Sequence, residues 1–278
     1  MLSYQLLTTG ERLRRTVRKC LPASLYANCA DLCNAYYGIR RFGFRQYLHL
    51  LELRDSAAPS QTPTPVYLRS LPHPFYIRAG TTDAGEVIHS IAREAYAYRL
   101  PPNPVNLVID AGANVGDTSV WYATRFPTAS IFAIEPDPDN FAVLTRNCAP
   151  YGDRITSVKA ALWPTRNARV TLVPSEMASG ISVRESPNER AMTCSTIDPL
   201  TILAEANHSE IDIFKIDIEG AELQLFSQDC DEWLRLTRSI LIEIHSRDAR
   251  EAVLSAARRH RFSYETYRDL LVLSRRLI

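Results

Sequence analysis

From residue 105 onward, short apolar runs of strand length alternate with stretches whose apolar positions recur at helical spacing. The runs are VNLVI (from Val105), SIFAIEPD (Ser130 to Asp137), ITSVKAALW (Ile155 to Trp163), RVTLVPS (Arg169 to Ser175), IDIFKID (from Ile211) and SILIEIH (Ser239 to His245). Helical patterns cover about Asp117–Phe126, Asn140–Cys148, Ser195 or Thr196 to Asn207, a stretch from Ala221, and Asp248–His260. Strands alternating with helices predict an α/β fold with a doubly wound parallel sheet. The last two runs, FSYETYR and LLVLSRR, are separated by only a few residues around Asp269, so they must pair as an antiparallel hairpin. Upstream the pattern changes three times. Residues 1–54 read as a basic helical extension and 55–65 (DSAAPSQTPTP) as a linker. Residues 66–103 hold a hairpin (Val66 to Ala79) and a helix starting at Thr82 or Asp83, with Val87, Ile88, Ile91, Ala95 and Tyr98 on one face. Pro101, Pro102 and Pro104 end that helix, and the main domain occupies 104–278.

Candidate chemistry collects at the predicted strand tips. After Asp110 the first run gives way to Gly112 and Gly116, a glycine-bearing turn before a helix, a geometry that brings backbone N–H groups close to a ligand. Glu135 ends the second run 25 residues after Asp110, where an acid can accept hydrogen bonds from both hydroxyls of a ribose. The third run ends near Ala160 and Ala161, small enough to leave room for a flat adenine ring. By the two-residue period of a strand, Lys215, Asp217 and Glu219 share one face, and Glu243 and His245 share one face of the next run. If those strands are neighbours, five polar groups converge where open α/β sheets bind ligands. The alternative is a self-satisfied ion-pair network in which Lys215 neutralises Asp217 or Glu243; titratable clusters concentrate at active sites, which favours chemistry over stability alone.

DAGANVGD, FAIEPDP, KIDIEGAE (Lys215 to Glu222) and LIEIH (Leu241 to His245) resemble the FkbM-type family of S-adenosylmethionine-dependent methyltransferases, from about Tyr76 to the C-terminus. The resemblance implies a class I methyltransferase, Rossmann-like sheet ending in the antiparallel hairpin, and S-adenosyl-L-methionine as cofactor. In that frame Gly112 and Gly116 approach the methionine part, Asp110 and Asn114 make polar contacts beside it, Glu135 holds the ribose, and Ala160 flanks the base. The family has a G-T-x-D turn like Gly80–Asp83, so Asp83 either helps close the cofactor site or caps its helix. His245 is the expected general base, because its ordinary pKa of ~6.5 lies near neutrality. Asp217 and Glu219 orient the acceptor or the base, Lys215 stabilises alkoxide charge, and Glu243 completes the catalytic set. Asp217, Glu219, Glu243 and His245 are also hard-donor ligands suited to Mg²⁺ or Mn²⁺. No metal is expected, since these residues have work without one. The expected activity is O-methylation of a small-molecule or glycan acceptor: a sugar, glycolipid or polyketide-like product. Two competitors stand beside it. An NAD-linked oxidoreductase is disfavoured by the D-x-G-x-x-x-G spacing, by the terminal hairpin, and by Asp117, which would repel a pyrophosphate at the helix start. A non-catalytic cofactor-binding protein is disfavoured by the intact polar strand faces.

Composition narrows the setting. The 278 residues carry a formal net charge of +1, which argues against nucleic acid as a partner. The six cysteines (Cys20, Cys29, Cys33, Cys148, Cys194, Cys230) form no C-x-x-C pair, so a reduced, cytoplasmic setting is expected. No apolar run approaches the ~20 residues needed to span a bilayer. In MLSYQLLTTGERLRR the apolar stretch precedes the basic cluster, the reverse of a signal peptide. Lysine occurs only at 19, 159 and 215, so Lys215 inside an apolar strand stands out. Arg12, Arg14, Arg15, Arg18 and Lys19, then Arg40, Arg41 and Arg45, give the 1–54 segment a basic face that is either simply solvated or makes a weak peripheral contact with a membrane. Pro174 to Cys194 is polar and irregular, and a loop of that length is expected to act as a substrate lid.

Overall fold

The computed structural model describes residues 23–174, 181–184 and 193–275. Two helices come first, α1 (Ala23–Phe42) and α2 (Phe44–Arg54), joined at Gly43. The basic cluster Arg12 to Lys19 lies outside the described residues. A small hairpin follows, β1 (Thr64–Val66) antiparallel to β2 (Phe75–Ile77), shorter and starting earlier than its sequence suggested. The proline-rich stretch before it is tied down: Ser60 N–H donates to the Ala79 carbonyl and Gly80 N–H to that of Leu53.

The predicted helix beginning at Asp83 is real but broken. α3 (Asp83–Val87) runs into a π-helical turn at Ile88–Ala92, and a single 3₁₀ turn covers Ala95–Ala97. π-turns interrupt the regular ladder and re-aim side chains, often at functional sites. Asp83 neither caps the helix through its side chain nor reaches the cleft. It is fully buried and forms a forked ion pair with Arg78, at 2.9 and 2.8 Å, and Arg78 also donates to Asn140. That removes Asp83 from both expected roles.

The main sheet has seven strands. β3 (Leu107–Ala111), β4 (Ser130–Ile134) and β5 (Ile155–Val158) lie on one side, linked by α4 (Asp117–Arg125) and α5 (Pro138–Cys148). The third predicted strand splits. After β5 the chain leaves the sheet, and β6 (Ala161–Leu162) joins a second, four-stranded sheet with β7 (Arg169–Pro174), β8 (Ile181–Arg184) and β9 (Thr193–Ile197), in the order β6-β9-β7-β8. Part of the expected lid is therefore a strand paired to β7; residues 175–180 and 185–192 lie outside the described residues. The helix expected from Ser195 starts later, as α6 (Pro199–Glu205). The β-branched run through Ile197 stays extended, and Asp198 caps Leu200 and Thr201 with Pro199 at the first helical position.

β10 (Ile211–Ile216) then crosses back to the other side of β3. Two short helices, α7 (Glu222–Ser227) and α8 (Asp231–Arg235), lead to β11 (Thr237–Glu243), and α9 (Arg247–Arg259) leads to the hairpin β12 (Ser263–Tyr267) and β13 (Leu270–Ser274). The sheet order is β12-β13-β11-β10-β3-β4-β5, with β13 the one strand reversed, the doubly wound sheet closed by an antiparallel hairpin expected of a class I methyltransferase. Side-chain alternation sorts its two faces. Val108, Ile131, Ala133, Ile213, Leu241 and Val272 pack under the N-terminal helices, the Asp83–Tyr96 segment, α4 and α5. Ile109, Phe132, Ile134, Phe214, Ile216 and Ile242 pack on the other side, with Trp163, Leu172, Trp233 and α9. Among the described residues no helix is long and apolar enough to cross a membrane.

Candidate active site

The strand order reverses between β3 and β10, and open α/β sheets bind ligands at the carboxyl ends of the strands there. The register fixes which side chains meet at that point. Lys215 on β10 stands opposite Asp110 on β3 and Leu241 on β11. Two residues further on, the tips bring Gly112, Asp217 and Glu243 into one row. An open cleft of roughly 830 Å³, counting its solvent-filled mouth, lies over Gly112 and Asp217 and extends to Asn114, Glu135, Ala161 and Leu162.

The glycine turn is pinned to β4: Gly112 and Ala113 donate N–H to the Ile134 carbonyl, and Asn114 N–H donates to Glu135 at 2.8 Å. Glu135 also accepts from Asp137 N–H at 2.9 Å, so each carboxylate oxygen is held by one backbone donor. Burial outweighs both bonds and lifts this carboxyl to about 7. Gly112 and Asn114 line the cleft, but Gly112 is glycine for another reason: a Cβ there would stand 1.7 Å from the Asp217 carbonyl oxygen. Gly116 departs from expectation. It takes a left-handed φ of 86°, and the space a Cβ would occupy faces Leu144 and Cys148, away from the cleft. Asp110 and Ala160 also lie outside the cleft wall. Asp110 is buried beneath it, bonded to Ser119 at 2.6 Å, and the wall beyond β5 is formed by Ala161 and Leu162 because the chain turns out of the sheet at Ala160.

Lys215 is engaged from three sides. Its Nζ donates to the carbonyls of Ala111 (3.2 Å) and Gly112 (2.6 Å) and pairs with Asp110 at 3.2 Å. Burial pulls the ammonium down, but Asp110, Asp217 and Asp117 outweigh it and hold it above its ordinary value. These contacts clamp β3 to β10.

Asp217, Glu219, Glu243 and His245 do converge, although Asp217 and Glu219 lie in the turn after β10, where Glu219 has a φ of 48°, and not on the strand itself. His245 Nδ1 sits 2.7 Å from Glu222, a residue with no exposure, and Nε2 lies 3.7 Å from Asp217 and 3.8 Å from Glu219. The hydrogen bond to Glu222, reinforced by the charges of Asp217 and Glu219, raises His245 to about 9. Tyr96, wholly buried, donates its hydroxyl to Glu243 at 2.9 Å and lies 3.4 Å from Asp217, drawing two acids together. Asp217 Oδ1 is buried without a hydrogen-bond partner. Asp217, Glu243 and His245 also present ligand atoms within 4.8 Å of one another, the set that could hold a divalent cation.

Glu222, Tyr96 and Glu86 were missed from the sequence. Glu222 carries a signal, three residues after Glu219 inside KIDIEGAE. Tyr96 and Glu86 carry none, because they reach the site from a segment far away in the chain. Glu86 lines the cleft, and burial together with Asp117, Asp217 and Glu243 raises it to about 8. Burial likewise raises Asp117 to about 6 and Glu243 to about 7.

A cleft walled by acids that resist ionisation favours a cationic ligand. Groups whose pKa is raised on folding contribute stability that is full below the unfolded value and fades as pH rises through the folded value. Glu86, Glu135 and Glu243, with His245, all have this sign. Melting temperature is therefore expected to fall between about pH 4.5, where the glutamates begin to ionise in the unfolded chain, and about pH 9. A cationic ligand should raise it more at the alkaline end; scanning calorimetry that shows a flat or rising profile would contradict the assignment.

Residues 110–272 match the family model described as a methyltransferase FkbM domain. The chain is 30% identical over 177 residues to methyltransferase sdnD of Sordaria araneosa, covering 52% of this chain and 67% of that one. It is 26% identical over 137 residues to hexuronic acid methyltransferase AglP of Haloferax volcanii, covering 49% of this chain and 55% of that one. Among solved structures, methyltransferase FkbM from Methylobacillus flagellatus is similar at a TM-score of 0.46 and 15% identity, over 64% of this chain and 46% of that one.

Proposed function

Because the chain belongs to the methyltransferase FkbM family, we propose that it moves a methyl group from S-adenosylmethionine to a hydroxyl of a sugar, glycolipid or polyketide-like product. The cofactor, when bound, supplies a methyl group already activated on a sulfonium. What is left to the protein is alignment and removal of one proton. The residues present fit that cofactor. Glu135 would hold the ribose hydroxyls, Ala161, Leu162 and Ile134 give a flat apolar wall for a base, and the acids Glu86 and Asp117 suit its positive charges. Gly112 and Asn114 lie between these regions.

The observation that carries the reaction type is the geometry of His245. Buried Glu222 occupies Nδ1, so Nε2 is left to face Asp217 and Glu219. In that position Nε2 takes the acceptor's proton, while the two carboxylates orient the hydroxyl. A hydroxyl needs such a base more than an amine does. The hexuronic acid methyltransferase among its relatives supports a glycan-like acceptor.

Calorimetry with S-adenosylhomocysteine and with NADH tests the cofactor. Binding of the first and not the second is expected; the reverse result would overturn the proposal. Glu135→Ala should weaken S-adenosylhomocysteine by about 10- to 100-fold, the value of hydrogen bonds to a charged acceptor, about 1.5–3 kcal/mol. Mass spectrometry for a one-methyl gain across a panel of sugars and secondary metabolites then identifies the acceptor.

A further inference from the structure

Seven large hydrophobic side chains are exposed among the described residues, and five lie between positions 32 and 48: Leu32, Tyr36, Ile39, Phe44 and Leu48. Their spacing is not random. Leu32, Tyr36 and Ile39 recur at i, i+4 and i+7 along α1, and Phe44 and Leu48 at i, i+4 along α2, so each helix shows an apolar stripe to solvent. The stripes are distinct from the faces that fold the protein, which use Phe42, Tyr47, Leu50 and Leu53. Isolated exposed hydrophobes need no explanation, but a concentration of this kind marks an interaction surface. Exposed Arg40 and Arg45 border it.

Charge identifies the partner. Residues 1–54 contain nine Lys and Arg against three Asp and Glu, a net charge of +6. The remaining residues contain 23 against 28, a net charge of −5. Nearly neutral overall, the sequence is therefore polarised along its length: residues 23–54, which form the two helices, carry Arg40, Arg41, Arg45 and Arg54 against Asp31 and Glu52, and the rest of the positive excess lies in residues 1–22, outside the described residues. Apolar residues flanked by arginine on helices too polar to cross a bilayer are the features of a peripheral contact with anionic lipid.

We propose that the α1–α2 pair seats the protein on an anionic lipid surface. The seat is coupled to the cleft. α1 packs on the π-turn Ile88–Ala92 and α2 on α3, the segment from which Glu86 and Ser90 line the site. Arg41 pairs with Glu94, and Arg93 donates to Asn34 at 3.1 Å, fixing α1 to the same wall. A surface-bound enzyme would thus meet an acceptor that is itself held in a membrane, such as a lipid-linked sugar.

Vesicle flotation of the full chain tests this, using phosphatidylcholine alone and with a one-third share of phosphatidylglycerol. Binding is expected on the anionic vesicles only, and it should weaken as salt is raised. Arg40→Gln with Arg45→Gln should lower partitioning about 25-fold, at about fivefold for each arginine near an anionic surface. Phe44→Glu with Leu48→Glu should abolish it while S-adenosylhomocysteine binding, measured in parallel, stays unchanged and reports an intact fold. Flotation on neither vesicle, or equally on both, would overturn the proposal. So would a dimer in light scattering that Phe44→Glu splits, since the face would then belong to a second copy of the chain. None of these readouts depends on the acceptor, so they stand or fall separately from the proposed activity.

Discussion

His245→Ala is expected to cut kcat by about 10²- to 10⁴-fold, the usual contribution of a general base, and to leave S-adenosylhomocysteine binding unchanged. Among the described residues the imidazole's hydrogen bond is to Glu222, not to the glycine turn or Glu135. The pH dependence gives a second, independent readout. A base must be neutral to accept a proton, and His245 is raised to about 9, first by the Glu222 bond and then by Asp217 and Glu219. The rate constant kcat/KM, which reports the free enzyme, should therefore rise with pH to a midpoint near 9, well above the ordinary ~6.5 of histidine. Glu222→Gln removes the largest cause of the shift. The midpoint should then move down toward the ordinary value, while the plateau rate falls because the ring is less firmly held. A residue that only braced the fold would lower stability without moving the midpoint. Full turnover by the alanine variant would remove His245 from the chemistry.

Lys215→Met should destabilise the protein by about 3–5 kcal/mol, the cost of leaving one member of a buried ion pair unpaired. Asp110 would be stranded in the sheet with only Ser119 as donor, and the Ala111 and Gly112 carbonyls would each lose a hydrogen bond. Against a typical stability of about 5–15 kcal/mol this is a large fraction, and the melting temperature should drop by about 6–20 °C. Replacing both partners, Asp110→Leu with Lys215→Met, should recover much of the loss, because an apolar pair of similar volume carries no desolvation cost. A drop of only a degree or two in the single variant would mean that the pair is not the clamp described above.

The legible parts of the sequence were those in which one strand reports on itself. Alternation along IDIFKID puts Lys215 on the face opposite Ile216, but its ion-pair partner, expected to be Asp217 or Glu243, is Asp110, which the parallel register sets opposite it. Glu135 at the tip of its run could be placed for the same reason. The reading weakened wherever a neighbour decided the outcome. The run from Ile155 looked continuous, yet its second half pairs with β9 in another sheet. Asp83 reads as a helix cap from its position, yet its carboxylate is taken by Arg78. The carbonyl partners of Lys215 are not legible either, because no sequence pattern shows that two carbonyls of β3 and its turn lie within reach of its ammonium. Glu86 and Tyr96 were out of view altogether, brought in by a segment that folds over the sheet from more than 100 positions upstream of Asp217.

Gly112 resting against the Asp217 carbonyl joins the turn after β3 to the turn after β10 in the floor of the cleft. Neither turn can retreat to admit a bulkier guest without pushing the other off its strand. Diversification of ligand choice among descendants of this sheet would have to come from the Asp83–Tyr96 cover, while the floor beneath stays fixed.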